Sequence, residues 1–168
     1  MIKIDDWVIN KGEKAQGEVR IEGCGMSMPA TVICGTEDGP TILITAGIHS
    51  AEYVGIQAAI ELAKEFQPEE LKGNVILIPL VNVSGFEHRT MSMVYEDGKN
   101  LNRVFPGNPN GTAADRIAYT IVTKLFPITD YYIDLHSGDG YEQLHPYVYY
   151  VGVVDKETAE KSLHMARH

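Results

Sequence analysis

Residues 41–66 read TILITAGIHSAEYVGIQAAIELAKEF, and two periods meet inside them. Residues 41–48, TILITAGI, form a continuous apolar run, the mark of a strand covered on both faces. From Ala51 to Phe66 the pattern turns helical. Val54, Ala58 and Leu62, with Ala51, Ile56 and Ala59 beside them, make a broad apolar face. Pro68 follows the end of that helix, and NVILIPLVN at 74–82 reads as a second buried strand. Strand, helix, strand is a βαβ unit, so the two strands are expected to be parallel with a right-handed crossover.

His49 and Glu52 stand at the joint between the first strand and the helix. One reading is purely local. Ser50 caps the helix by accepting a hydrogen bond from a free backbone N–H of the first turn. Glu52 then lies in that turn, where the helix dipole favours an anion, and His49 is an ordinary loop histidine. The other reading makes His49 and Glu52 a pair of metal ligands. The stretch alone leaves both open.

Outward from this unit, residues 17–35 contain two short strands in a hairpin-like arrangement near a sheet edge. TEDGP at 36–40 reads as a turn. Residues 83–111 form a long irregular stretch, rich in Gly, Asn and Pro. Such a stretch inside a compact domain is usually functional or disordered, and its aromatic and Met content argues against disorder. TAADRIAYTIVTKLF at 112–126 reads as a second helix, with Thr112 as its cap and Asp115 in its first turn. YYIDLHSG is a third strand ending in a polar turn, HPYVYYVGVV a fourth, and Asp155 caps a last helix, KETAEKSLHMARH. The fold class is α/β, with a mostly parallel or mixed central sheet and helices on both faces. The 168 residues suffice for a single domain, with 1–35 as its N-terminal strand and hairpin region.

Composition narrows the partners. The formal net charge of -9 and the lack of any Lys/Arg cluster argue against nucleic acid, whose phosphates call for a basic patch. No apolar run approaches the length of a membrane span, and the acids of MIKIDDWVINKGEK do not suit a signal peptide. Cys24 and Cys34 are too few for a disulfide scaffold and lack zinc-ribbon spacing. Buried thiols in a reducing cytoplasm are the expectation, and a disulfide is the alternative.

In open α/β sheets, ligands bind outside the carboxyl ends of the strands. His49 and Glu52 follow the first buried strand, Arg89, Asn102 and Arg103 follow the second, and His136 closes the third. Two imidazoles and one carboxylate are a common catalytic zinc set that leaves a position open for water. Asn102 and Arg103 offer a neutral donor beside a guanidinium fork that matches a carboxylate. Taken by itself, such a pair reads first as a loop-stabilising Asn and a surface Arg. Asp134 lies two residues before His136 on the same strand face, placed to orient that histidine or to partner an arginine. His88, His145, His164 and His168 lack comparable support.

HSAE, NLNR and DLHSG, in this order and at this spacing, resemble the zinc carboxypeptidase superfamily. DGKNLNRVFPG is especially similar to its succinylglutamate desuccinylase/aspartoacylase branch, and the resemblance covers about residues 30–150. It implies Zn2+ held by His49, Glu52 and His136, with Asn102 and Arg103 holding a substrate carboxylate. It also implies an upstream arginine that polarises the scissile carbonyl, for which Arg89 is the candidate. The activity implied is hydrolysis of an amide bond in a small carboxylate-bearing substrate, of the N-acyl amino acid deacylase type. A metallocarboxypeptidase acting on peptide C-termini is the alternative. The family's general base is a glutamate on a strand well after the third ligand, and no glutamate here occupies that place. Glu142 matches a different acid that follows the histidine, while Glu157 and Glu160 are helix acids. The chain is therefore expected to be the N-terminal part of a longer enzyme, truncated at its C-terminus. If it naturally ends here, the expectation becomes a non-catalytic zinc- or carboxylate-binding domain.

Overall fold

Alternate side chains along the central strand divide the core in two. In the computed structural model, which describes residues 1–167, the chain begins with a small antiparallel pair, β1 (Ile2–Ile4) and β2 (Trp7–Ile9). β3 (Lys14–Ile21), β4 (Met26–Cys34) and β5 (Glu37–Ala46) follow, then helix α1 (Tyr53–Glu65) and β6 (Lys72–Ile78). The remaining elements are α2 (Val83–His88), α3 (Ala113–Thr120), β7 (Tyr131–Leu135) and α4 (Lys156–Ala166).

The main sheet has the order β3-β4-β6-β5-β7. β3 and β4 form the antiparallel hairpin at one edge, and β4 pairs antiparallel with β6. β5 runs parallel to both β6 and β7, so the carboxyl ends of these three strands share one edge. The sheet is mixed, as its sequence suggests.

Ile44 of β5 and Val75 and Leu77 of β6 pack with Ala63 of α1, while Ala46 packs with Ile56 and Ala59. Leu43, Ile76 and Ile78 point the other way, into the larger cluster with Ala114, Ile117 and Ile121. Each strand is thus apolar on both faces because a helix covers each face. Gly47 makes the exit from β5 possible. It sits at φ +67, a conformation strained for residues with a side chain, and a Cβ there would meet Leu80 Cδ1 at 2.8 Å.

Several expectations are corrected. TEDGP is not a turn: β5 already starts at Glu37, with a register irregularity between Glu37 and Thr41. Backbone pairing to Lys72 carries this polar stretch into the sheet despite its composition. The helix after Thr112 leaves α geometry at Ile121, passes through a π turn to Leu125, and ends in a 3-10 turn at Ile128. HPYVYYVGVV forms no strand. Residues 145–154 are exposed, Val153 fully so, and strand propensity without a pairing neighbour does not build a ladder. The irregular stretch 83–111 contains α2, a 3-10 turn at Leu101–Arg103 and a bridge between Met93 and Asn100. Val94 and Leu101 are its fully buried anchors. β1 and β2 lie within residues 1–35, the expected strand and hairpin region, of which only 17–35 resolves into individual strands from the sequence. Asp155 caps α4 as expected, accepting from Thr158 N at 3.0 Å, and His168 lies outside the described residues. Cys34 is buried, Cys24 is half-buried, and both are free thiols.

Candidate metal centre

The turn after β5 aims His49 and Glu52 at each other. Ser50 does not cap α1: its hydroxyl donates to Met91 O at 2.6 Å, and Ala51 N donates to the same oxygen at 3.2 Å. The helix starts two residues later than Ala51, with Glu52 at its N-cap position, and Glu52 N donates to His49 O at 3.2 Å. This extra turn leaves the Glu52 side chain free of capping, so it points across the sheet edge instead.

There it meets both histidines. His49 Nδ1 lies 2.8 Å from Glu52 Oε1, and His136 Nδ1 lies 2.8 Å from Glu52 Oε2. Glu52 is only 6% exposed, and its Oε2 also accepts from Ser137 N at 2.9 Å. The two imidazoles are 5.1 Å apart at 72°. One ligand atom from each of the three residues lies within 4.8 Å of the others.

The outer ring nitrogens are also engaged. His49 Nε2 is 3.1 Å from Asn100 Oδ1, and His136 Nε2 is 2.7 Å from Asp134 Oδ2. Asp134 Oδ1 accepts from Thr45 Oγ1 at 2.6 Å. That uses the only proton of Thr45, so the Tyr132 hydroxyl, 2.8 Å away, donates to Thr45. Asp134 partners His136, and no arginine pairs with it among the described residues.

The electrostatics follow from the packing. Burial pushes the Glu52 carboxyl up, but hydrogen bonds from His136, His49 and Ser137 outweigh it and bring it down to about 2. Asp134 first, and then Glu52, raise His136 to about 10 against the effect of burial. His49 is raised by Glu52. A ring nitrogen 2.8 Å from an ionised carboxylate oxygen needs either a proton or a cation between the two. The donor set, two imidazoles and a carboxylate, with both outer nitrogens hydrogen-bonded, has the chemistry of a zinc site.

The other site candidates hang on the same loops. Arg89 is the left-handed C-cap of α2, at φ 57, and its side chain is exposed with no ion pair among the described residues. Two residues on, Met91 ties its loop to Ser50 and Ala51. Asn102 and Arg103 are exposed on the 3-10 turn, where, among the described residues, Arg103 Nη1 bonds the neighbouring Asn102 O at 3.0 Å. Asn100, which holds that turn to His49, was not singled out in the sequence. Its signal was its place as an Asx cap two residues before Asn102. His88 stacks on Tyr95, away from this cluster, with ring centroids 3.6 Å apart.

Fold and site define an α/β protein with a candidate metal centre at the carboxyl edge of a mixed sheet. The chain belongs to the succinylglutamate desuccinylase/aspartoacylase family, whose catalytic-domain model matches residues 38–167. It is 36% identical over 161 residues to the N-alpha-acetyl-L-2,4-diaminobutyric acid deacetylase of Halomonas elongata, covering 95% of this chain and 44% of that protein. Among solved structures it is similar to an aspartoacylase family protein from Mesorhizobium loti, with TM-score 0.71 and 33% identity over 79% of this chain and 43% of that one. The product-bound ectoine utilization protein EutE from Ruegeria pomeroyi gives TM-score 0.69 and 31% identity over 79% and 42%. The chain spans less than half the length of these relatives. Among the described residues, no helix is long and apolar enough to cross a membrane.

Proposed function

We propose that this chain carries the metal-binding and carboxylate-binding parts of a zinc-dependent deacylase that hydrolyses the amide bond of a small N-acyl amino acid. Residues 1–168 are read as one catalytic unit, with His49, Glu52 and His136 as the ligands of Zn2+. The observation that carries this is the convergence of two imidazole Nδ1 atoms on the Glu52 carboxylate, with each Nε2 held by a separate acceptor. Zinc bound there supplies Lewis-acid polarisation of a carbonyl and lowers the pKa of water.

The chain's own residues supply binding and orientation. Arg103, with no carboxylate partner among the described residues, forms the bidentate contact to the substrate carboxylate, and Asn102 adds a neutral donor. Arg89 donates to the acyl oxygen as negative charge develops on it. Glu52 and Asp134 are both committed to the histidines, so neither is the general base. The deacetylase relative suggests an N-acetylated amino acid with a second amine as the substrate class. The free thiols fit a cytoplasmic setting.

The test is an assay of the longest natural form of the protein, loaded with zinc, on N-acyl amino acids and on peptides with free C-termini. Release of acetate from the former and not of amino acids from the latter is expected. Peptide cleavage alone would move the reading to a carboxypeptidase. Tight zinc and carboxylate binding without turnover of either substrate would favour a non-catalytic binding domain.

A further inference from the structure

We propose that Asp97 is a positioning residue: its carboxylate hangs the loop that presents Asn102 and Arg103 on the first turn of α3. This rests on the carboxylate reading above and goes beyond it, because Asp97 is neither a metal ligand nor a substrate contact in that reading.

Asp97 stands at the tip of a tight loop. Gly98 N donates to Val94 O at 2.8 Å and Val94 N to Lys99 O at 2.9 Å, with Val94 fully buried at the base. The two carboxylate oxygens of Asp97 divide the work. Oδ1 accepts from Lys99 N at 3.0 Å and closes the loop. Oδ2 accepts from Ala114 N at 2.8 Å and docks the loop on α3. Ala114 lies in the first turn of that helix, where N–H groups have no partner within the helix and the dipole favours an anion. A charged acceptor makes that bond stronger than a neutral one.

α3 has a cap of its own. Asp115 accepts from Thr112 N and from Thr112 Oγ1, each at 3.0 Å. Lys99 Nζ adds a second tie to Asp115 Oδ2 at 2.6 Å, but both partners are partly exposed, so it contributes less. The far end of the segment lands on the same helix. Asn108 N donates to Asp115 O at 3.1 Å, and Gly107 packs so closely on Asp115 O and Tyr119 N that a Cβ would overlap them.

Residues 97–108 are thus strapped to α3 at both ends, with Asn102 and Arg103 exposed between the straps. The exit strap is backbone on backbone. The entry strap depends on the Asp97 side chain. Without it the exposed arginine loses its fixed place, while His49, Glu52 and His136 stay where β5 and β7 deliver them.

The experiment uses the longest natural form of the protein, loaded with zinc, as wild type, Asp97→Ala, Asp97→Asn and Arg103→Ala. Calorimetry measures binding of N-acetylglycine, which carries a free carboxylate, and of acetohydroxamate, which binds zinc and carries none. Hydrogen exchange follows the Arg103 and Val104 amides, which close the 3-10 turn on Asn100 O and Leu101 O. Asp97→Ala is expected to weaken N-acetylglycine binding by about 10-fold, the scale of one hydrogen bond to a charged group. Its acetohydroxamate affinity should stay at the wild-type value, and both amides should exchange faster. Asparagine keeps one acceptor oxygen, so Asp97→Asn should fall between, at a loss of roughly threefold.

Unchanged N-acetylglycine affinity in Asp97→Ala overturns the positioning role and makes Asp97 a cap of α3 only. An equal loss for acetohydroxamate also overturns it, and makes Asp97 a general prop of the fold. If Asp97→Ala does not fold, Asp97→Asn decides: wild-type N-acetylglycine affinity with wild-type exchange at Arg103 and Val104 overturns the proposal. A wild type that does not bind N-acetylglycine, or binds it equally well as Arg103→Ala, overturns the carboxylate reading instead. Exchange at Arg103 and Val104 then decides by itself whether Asp97 holds the turn.

Discussion

Gly55 and Leu135 meet almost backbone to backbone: a Cβ on Gly55 would stand 3.0 Å from Leu135 O. This contact seats the first turn of α1 against the end of β7, and so brings Glu52 within reach of His136.

Gly55→Ala should therefore destabilise the protein even though alanine is the better helix former. The propensity gain is about 1 kcal/mol, whereas forcing a methyl against packed backbone costs about 1–3 kcal/mol. The expected result in urea unfolding is a net loss, together with weaker zinc binding as Glu52 moves from His136. A variant more stable than the wild type would show that the close approach is not required.

The protein stripped of metal should be most stable in mildly acidic solution. The Glu52 carboxyl is lowered from 4.5 to about 2, so its contribution is present above pH 4.5 and lost as pH falls through about 2. His136 is raised from 6.5 to about 10, so its contribution is full below pH 6.5 and lost as pH rises through about 10. His49 is raised too, and acts in the same sense as His136. The melting temperature of chelator-treated protein should fall on the alkaline side of pH 6.5, while zinc affinity climbs there because zinc displaces the protons. A melting temperature that rises through that alkaline window would contradict the hydrogen-bond network.

The two arginines should separate kinetically in the active enzyme. Arg103→Ala removes a ground-state carboxylate contact and should raise KM with a smaller change in kcat. Arg89→Ala removes a donor to developing charge and should lower kcat by about 10²–10³-fold. Steady-state kinetics on an N-acyl amino acid decide this, and unchanged constants for either variant would remove that residue from the site.

The parts of this site that depend on strand ends were legible in the sequence. His49, Glu52 and His136 each follow a buried apolar run, and parallel strands must deliver such ends to one edge. The βαβ unit was legible for the same reason, since a change of period is a local signal. Contacts made at long range were not legible. Ser50 looks like a cap because its natural partner is nearby, yet its hydroxyl goes to Met91, 41 residues away. Asn100 reads as a turn residue until its second partner, His49, arrives from 51 residues away. Residues 145–154 have strand-forming side chains, but a strand is completed by its neighbour, which local composition does not report.

The most direct test of the central claim is the zinc content of the purified protein by elemental analysis, measured alongside Glu52→Ala and His49→Ala. Glu52 bridges the two histidines, so the account predicts one zinc per chain in the wild type and almost none in either variant. A wild type without stoichiometric zinc, or variants that keep it, would contradict the account.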